Sequence, residues 1–196
     1  TTLVNVELER FNKVMQVNVT SCFLGCREYL RRNPGPGAIV NVSSVAARLG
    51  APFEYVDYAA SKGAIESLTK GLAMEVAAQG VRVNAVCPGL IYTDMHADGG
   101  EPGRVDRVAP NLPLKRGGQA VEVAEAIYWL LSEQASYVTG SCLDVAGGRS
   151  VFNGHPLQQL WHDIHIARCH VANNPTAFAR NLGSVTLGME NKDVFI

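Results

Sequence analysis

The sequence has no apolar run approaching the roughly 18 residues that a membrane-spanning helix needs. No cationic stretch followed by an apolar core opens it, as a secretory signal would. A surplus of positive charge is missing too: Lys and Arg total 17, Asp and Glu total 18, and the formal charge is −1. Nucleic acids and anionic membranes both select basic proteins, so neither is expected as a partner. No Cys-x-x-Cys pair occurs among the five cysteines, Cys22, Cys26, Cys87, Cys142 and Cys169. Cys22 and Cys26 stand one helical turn apart on an apolar face, so reduced core thiols in a cytoplasmic protein are expected. The Asn-x-Ser/Thr matches at Asn18 and Asn41 carry little weight without a secretory signal. Met is absent from the start, where Thr1-Thr2-Leu3-Val4 reads like an internal segment. What is present is globular: 47% hydrophobic and 18% charged over 196 residues. That excludes wholesale disorder and suffices for one ordinary domain with a small appendage.

Apolar side chains recur at helical spacing between residues 6 and 32: Phe11, Val14, Met15, Cys22, Cys26, Tyr29 and Leu30. Asn18 sits on the same stripe and must find hydrogen-bond partners there. Asn33-Pro34-Gly35-Pro36-Gly37 breaks the helix. Residues 38–43 are β-branched and short, a buried strand that ends in Ser43-Ser44. The pattern predicts a second helix over 57–79, with Ala60, Ala64, Leu68 and Leu72 along one side and Gly80 as its cap. A strand over 81–87 stops at Pro88-Gly89. Residues 92–118 show no sustained period and read as a long functional loop, for instance a substrate lid. A helix over 120–132 and a strand over 141–146 follow. This alternation is that of a parallel α/β sheet, yet it begins on a helix and supplies only three strands.

Open α/β sheets take their ligands beyond the carboxyl ends of the strands. Two such ends are chemically distinctive here, Ser43-Ser44 and Pro88-Gly89. Shortly after the first comes Tyr58-Ala59-Ala60-Ser61-Lys62. A Tyr and a Lys four apart share one helix face, about 6 Å apart at Cβ. An ammonium beside a phenol is expected to lower a pKa otherwise near 10, fitting the phenol for proton exchange with an alcohol. Alone, that spacing is commonly just a solvated helix face.

With its neighbours the segment resembles the short-chain dehydrogenase/reductase family. The likeness runs from the Asn18 helix through Gly37-Ala38-Ile39-Val40-Asn41-Val42-Ser43-Ser44, Tyr58-x-x-x-Lys62 and Val81-Arg82-Val83-Asn84-Ala85-Val86-Cys87-Pro88-Gly89. It continues through Thr93 and Tyr137-Val138-Thr139-Gly140 to Asp144-Val145-Ala146-Gly147-Gly148. The resemblance implies a Rossmann-like doubly wound sheet and an NAD or NADP cofactor. It implies a small alcohol or carbonyl substrate, and a homotetramer for the complete protein. Tyr58 becomes the proton donor or acceptor, Lys62 the holder of the nicotinamide ribose, and Asn18 the residue that fixes a relay water. Ser44 binds the substrate oxygen, with Ser43 an open alternative. Pro88, Gly89, Ile91 and Thr93 match the segment that lies along the nicotinamide. Tyr55 is a decoy, because Ala59 stands four residues later.

The glycine-rich turn that receives a pyrophosphate is missing. Gly35-Pro36-Gly37 precedes a strand instead of following one, while Gly99-Gly100 and Gly117-Gly118 lie in or beside the long loop. At about 30 residues per βαβ unit, roughly a hundred residues are expected before Thr1. Without them, residues 1–149 form a partial Rossmann-type domain, expected to expose an apolar sheet edge and to bind cofactor and fold poorly.

Residues 150–196 read as a helical tail of different origin. Four of the five histidines lie there: His155, His162, His165 and His170. His162, His165 and Cys169 share one helical arc, but no second cluster completes a site, so no metal is expected. Gly147-Gly148-Arg149-Ser150-Val151-Phe152, His155-Pro156-Leu157-Gln158 and Trp161-x-Asp163-Ile164-His165 resemble the carboxyl end of flavin-dependent monooxygenases with the acyl-CoA dehydrogenase fold. That likeness suggests a recombined reading frame, with a lineage-specific extension as the alternative. Three functions therefore stand side by side: an alcohol–ketone oxidoreductase, a flavin monooxygenase component, and an inactive fragment.

Overall fold

The computed structural model describes residues 2–148. The expectations for the tail, including Cys169, the histidine arc and the flavin monooxygenase resemblance beyond Gly148, lie outside the described residues. A short turn leads into α1 (Leu8–Met15), a π-helical turn (Gln16–Thr20) and α2 (Ser21–Arg32). Then come β1 (Gly37–Val42), the single-turn α3 (Ala46–Leu49), α4 (Val56–Val76) and β2 (Val81–Pro88). The chain continues through β3 (Ile91–Tyr92), α5 (Met95–Asp98), α6 (Arg104–Val108), β4 (Gly118–Gln119), α7 (Ala120–Leu131) and β5 (Cys142–Val145).

The β-branched run at 37–42 pairs parallel with β2, Gly37 opposite Val81 and Val42 opposite Val86. On its other side β2 pairs parallel with β5, Ala85 opposite Cys142. The order β1-β2-β5 makes β2 the central strand. Val83, Ala85, Val86 and Cys87 are accordingly sealed from solvent, as strands covered on both faces must be. Burial pushes the Cys87 thiol up to about 12, with the charge of Glu66 adding to it. The parallel α/β expectation is met, and with it the Rossmann-like class.

Buried polar side chains in this layer tie it to neighbouring elements. Buried Asn84 donates to the Val138 carbonyl at 2.8 Å and accepts from the Ser141 amide at 3.0 Å, which aligns the entry to β5. Buried Asn41 donates to Thr69 Oγ1 at 2.9 Å and accepts from the thiols of Cys22 and Cys26 at 3.4 Å. One amide thus ties β1 to both α2 and α4. Arg82 donates to the carbonyls of Leu130 at 2.7 Å and Ser132 at 3.1 Å, a cation closing the carboxyl end of α7. Gly80 turns from α4 to β2 at φ +73°, where a side chain would be strained.

Two expectations need correction. Residues 92–118 are not a featureless loop. Short helices pack Val105 and Leu112 against Leu90, and β3 pairs parallel with β4. Elements of two to five residues are too short for a hydrophobic period to register. The core-facing side of α4 is also not the Ala60–Leu72 stripe, since Ala60 is exposed. It is Ser61, Ile65, Thr69, Ala73 and Val76, a stripe partly polar because it also serves Asn18 and Asn41.

One more long-range tie fixes the start of α4. Arg10 donates from Nε to Asp57 Oδ2 at 2.9 Å, and the Asp57 carboxylate is 1% exposed. Burial alone raises its pKa. Hydrogen bonds from Arg10 and from the backbone N–H groups of Tyr58 and Asp57 outweigh that and hold it below the ordinary aspartate range. A carboxylate depressed in the folded state contributes stability above its unfolded pKa, and the contribution is lost as pH falls through the folded value. Arg10→Ala, leaving a buried acceptor short of its donor, is expected to cost about 1–3 kcal/mol in urea unfolding at neutral pH. The gap to the parent should narrow in acid as Asp57 takes up a proton, and a gap that is constant across pH contradicts this account.

Candidate active site

The register that aligns β1 with β2 also brings their carboxyl ends side by side. Past β1, the Ser43 amide donates to the Val86 carbonyl at 2.8 Å and the Val45 amide to the Pro88 carbonyl at 3.1 Å. The two serines then diverge. Ser43 is 2% exposed and turns inward, its hydroxyl donating to the Lys62 carbonyl at 3.1 Å, with Glu66 Oε1 at 3.4 Å. Ser44 is half-buried, accepts from the Ala46 amide at 3.1 Å, and shares a hydrogen bond with the phenol of Tyr58. Ser44 is thus the serine that lies beside the phenol, and Ser43 the one turned into the core.

Tyr58 stands in the first turn of α4 with its ring packed on Ala46, Ala51 and Ala59. Small residues there let α3 and α4 approach closely beside the ring. Lys62, one turn on, brings Nζ 5.4 Å from the centroid of the Tyr58 ring, in cation–π range. The same nitrogen donates to the Val42 carbonyl at 3.0 Å. Tyr58 and Lys62 therefore do share a face at the mouth of the sheet.

Their electrostatics differ from the expectation drawn from spacing. Burial pushes the Tyr58 phenol above its ordinary value, and only the bond to Ser44 pulls it back. Lys62 does not lower it. Burial also pushes the Lys62 ammonium down, against small opposite pulls from Cys22 and Cys87. Desolvation disfavours both charged forms, and here it outweighs the attraction between phenolate and ammonium. At neutral pH Tyr58 is a protonated phenol with a proton to give.

Asn18 reaches the same helix from the π-helical turn. Its Nδ2 donates to Ser61 Oγ at 2.9 Å, and the Ser61 hydroxyl donates to the Tyr58 carbonyl at 2.7 Å. Asn18 is thus joined to the backbone of Tyr58 through Ser61 and does not touch the phenol. Ser61 is fully buried, and it is the link that sequence reasoning passed over. Its signal was a hydroxyl three residues after the tyrosine, on the side of α4 that must face the core.

Pro88 ends β2, and the Gly89 amide donates to the Val145 carbonyl at 3.0 Å. A Cβ on Gly89 would meet Ala146 Cα at 2.8 Å, so close packing on β5 by itself explains this glycine. Ile91 is buried in β3, while Thr93 is exposed just beyond it. The ring of Tyr55, which lacks a lysine four residues on, meets that of Tyr58 edge-on, centroids 5.6 Å apart. Arg104 of α6 donates to the Tyr55 hydroxyl at 2.7 Å and also bonds Glu54 and Glu101. The 92–118 segment is latched through Arg104 and Tyr55 to the catalytic candidate.

A nicotinamide dinucleotide fits this set in part. An ammonium has three N–H bonds, and one of those on Lys62 goes to Val42, leaving donors for ribose hydroxyls. Among the described residues no strand leads through a Gly-x-Gly-x-x-Gly turn into a helix. The residues present therefore suit the nicotinamide end of such a molecule.

A parallel α/β sheet with a phenol, an amine and a hydroxyl gathered at its carboxyl edge is the architecture of a Rossmann-type oxidoreductase. The comparisons name the class more closely. A family model described as enoyl-(acyl carrier protein) reductase matches residues 1–150, and the chain belongs to the short-chain dehydrogenase/reductase family. The uncharacterized oxidoreductase YgfF of Escherichia coli strain K12 is 67% identical over 153 residues, 76% of this chain and 62% of that protein. Glucose 1-dehydrogenase of Gluconobacter oxydans strain 621H is 40% identical over 152 residues, 76% of this chain and 57% of its own length. Among solved structures, ElxO with NADP bound aligns at a TM-score of 0.69 and 32% identity, covering 75% of this chain and 60% of that one. 4-Hydroxyisoleucine dehydrogenase complexed with NADH aligns at 0.68 and 31%, covering 75% and 62%. The chain spans about three fifths of the length of the curated relatives it matches.

If Ser44 is what restrains the rise of the phenol, Ser44→Ala should move the Tyr58 titration further upward. Ultraviolet difference titration against a Tyr58→Phe reference isolates that phenol. A downward or absent shift in Ser44→Ala contradicts the assigned hydrogen bond.

Proposed function

We propose that the complete protein is an NAD(P)-dependent oxidoreductase that interconverts an alcohol and a ketone. The observation that carries this reading is the convergence of Tyr58, Ser44 and Lys62 where β1 and β2 end, with the phenol hydrogen-bonded to Ser44. A bound nicotinamide gives or takes the hydride. The chain's own groups handle the proton and the charge. Tyr58 Oη passes its proton to the substrate oxygen as a carbonyl becomes an alcohol, and takes one back in the reverse direction. Its raised pKa keeps that proton in place until the oxygen becomes basic enough to accept it. Ser44 Oγ holds the same oxygen, and stabilises the charge there without a proton transfer of its own.

Lys62 anchors the ribose through its remaining N–H bonds. Asn18, held by Ser61, fixes a relay water near the amine. Pro88, Gly89, Ile91 and Thr93 run along the nicotinamide, and the 92–118 segment shapes the substrate side. In this reading residues 1–149 are the carboxyl portion of the cofactor domain and 150–196 a tail of separate origin. The complete enzyme acts on a small alcohol or carbonyl compound, as a cytoplasmic homotetramer. No helix among the described residues is long and apolar enough to cross a membrane.

The test joins this chain to the amino-terminal region of the E. coli relative and follows NADH and NADPH oxidation with a panel of ketones. Turnover is expected in the extended chain. Tyr58→Phe within it should lower kcat by about 10² to 10⁴, the range for loss of a general acid–base group. Near-parental rates in Tyr58→Phe remove Tyr58 from the mechanism, and no turnover with any carbonyl favours the inactive fragment.

A further inference from the structure

The cysteines were expected to be plain core thiols, yet two of them meet a carboxylate behind the site just described. Glu66 lies one turn after Lys62 on α4, Cys87 is the last residue before Pro88 in β2, and Cys142 opens β5. Glu66 Oε1, Cys87 Sγ and Cys142 Sγ all lie within 4.8 Å of one another. The Cys87 thiol donates to Glu66 Oε1 at 3.3 Å. Ligand distances of about 2.3 Å for sulfur and 2.0 Å for oxygen place a sulfur and an oxygen on one tetrahedral ion about 3.5 Å apart. An ion that replaced the shared thiol proton would leave the pair close to its present separation.

We propose that Glu66, Cys87 and Cys142 form a binding site for a soft divalent cation of the zinc class. The ligand types fit that choice: two thiolates select a soft or borderline metal over magnesium or calcium, and a carboxylate supplies the third donor. The three ligands come from three elements, α4, β2 and β5, so an ion there joins the central strand to its neighbour and to the helix that carries Tyr58 and Lys62. Cys87 and Glu66 are buried, whereas Cys142 is half-exposed on the edge strand and leaves a way in.

The surrounding charges permit it. Arg48 is the nearest cation, with Nη2 3.6 Å from Glu66 Oε1, but its guanidinium is engaged by both oxygens of Asp144. Ser43 Oγ, whose proton goes to the Lys62 carbonyl at 3.1 Å, lies beside the cluster, 3.4 Å from Glu66 Oε1. The inference concerns a structural site and does not draw on the oxidoreductase reading.

The 196-residue chain itself serves for the test, under reducing conditions. Alkylation of each cysteine is timed with and without zinc, and the sites are resolved by peptide mass mapping. Zinc is expected to protect Cys142 and to leave Cys22, which is also half-exposed, reacting at its former rate. Glu66→Gln should weaken that protection by at least about tenfold in zinc concentration, since even outer-shell changes cost that much. Because a substitution at sealed Cys87 can unfold the sheet, Cys142→Ser is the second variant. It should abolish the thiolate-to-metal charge-transfer band that cadmium produces in a Cys22→Ser, Cys26→Ser, Cys169→Ser background. Equal protection of Cys22, unchanged protection in Glu66→Gln, or a Cys87–Cys142 disulfide in the purified chain would each overturn the proposal.

Discussion

The parallel pairing of β1 with β2 is the constraint on which the other features rest. A single shared register, Val42 opposite Val86, makes both strands stop at the same level, so that Ser44 and Pro88-Gly89 emerge together. Parallel strands must be joined by a crossover, and α4 is that crossover. Its first turn therefore has to begin close to where β1 ends. Tyr58 stands beside Ser44 for this topological reason before any side-chain chemistry is considered. Slip the pairing by one residue and Asn41 turns its amide away from Thr69, while Ser44 no longer faces the phenol.

Around this frame, buried polar groups do the positioning that apolar packing alone cannot. Asn41, Asn84, Ser61 and Thr69 are each sealed from water and each hydrogen-bonded to a different element. A hydrocarbon core tolerates many arrangements of similar volume, whereas a buried amide tolerates only those that satisfy its donors and acceptors. The cluster at Glu66, Cys87 and Cys142 belongs to the same layer, directly beneath the strand ends. The active-site candidates rest on a floor whose geometry is specified by hydrogen bonds.

Much of this was readable in the residue order. The long periodic helices, the β-branched strands and the Gly80 and Pro88-Gly89 breaks announce themselves by spacing and turn chemistry. The stripe from Phe11 to Leu30 is at least half-buried throughout, Asn18 included. Tyr58, Lys62 and Ser44 were legible because their neighbours along the chain form a continuous pattern. Three things were not. The short helices of 92–118 are held by the Leu90, Val105 and Leu112 contacts, which local propensity does not encode. The direction of the Tyr58 pKa depends on how deeply the ring sits, and spacing conveys distance to Lys62 but not burial. The Arg104–Tyr55 contact links residues 49 apart, and pairs so distant leave no local periodicity.

The π-helical turn at Gln16–Thr20 sets the phase between two halves of one helix. Upstream of it Arg10 meets Asp57, and downstream Cys22 and Cys26 meet Asn41. Removing one residue from the turn would restore an ordinary α-helix with every backbone hydrogen bond intact. The two halves would keep nearly the same phase, because the wider i→i+5 turn is what absorbs the extra residue. The wider turn thus acts as a reading-frame device in three dimensions. A single-codon deletion there would leave both anchoring faces in place, whereas tightening the turn to α geometry with all five residues kept would swing one half past the other by about 100°.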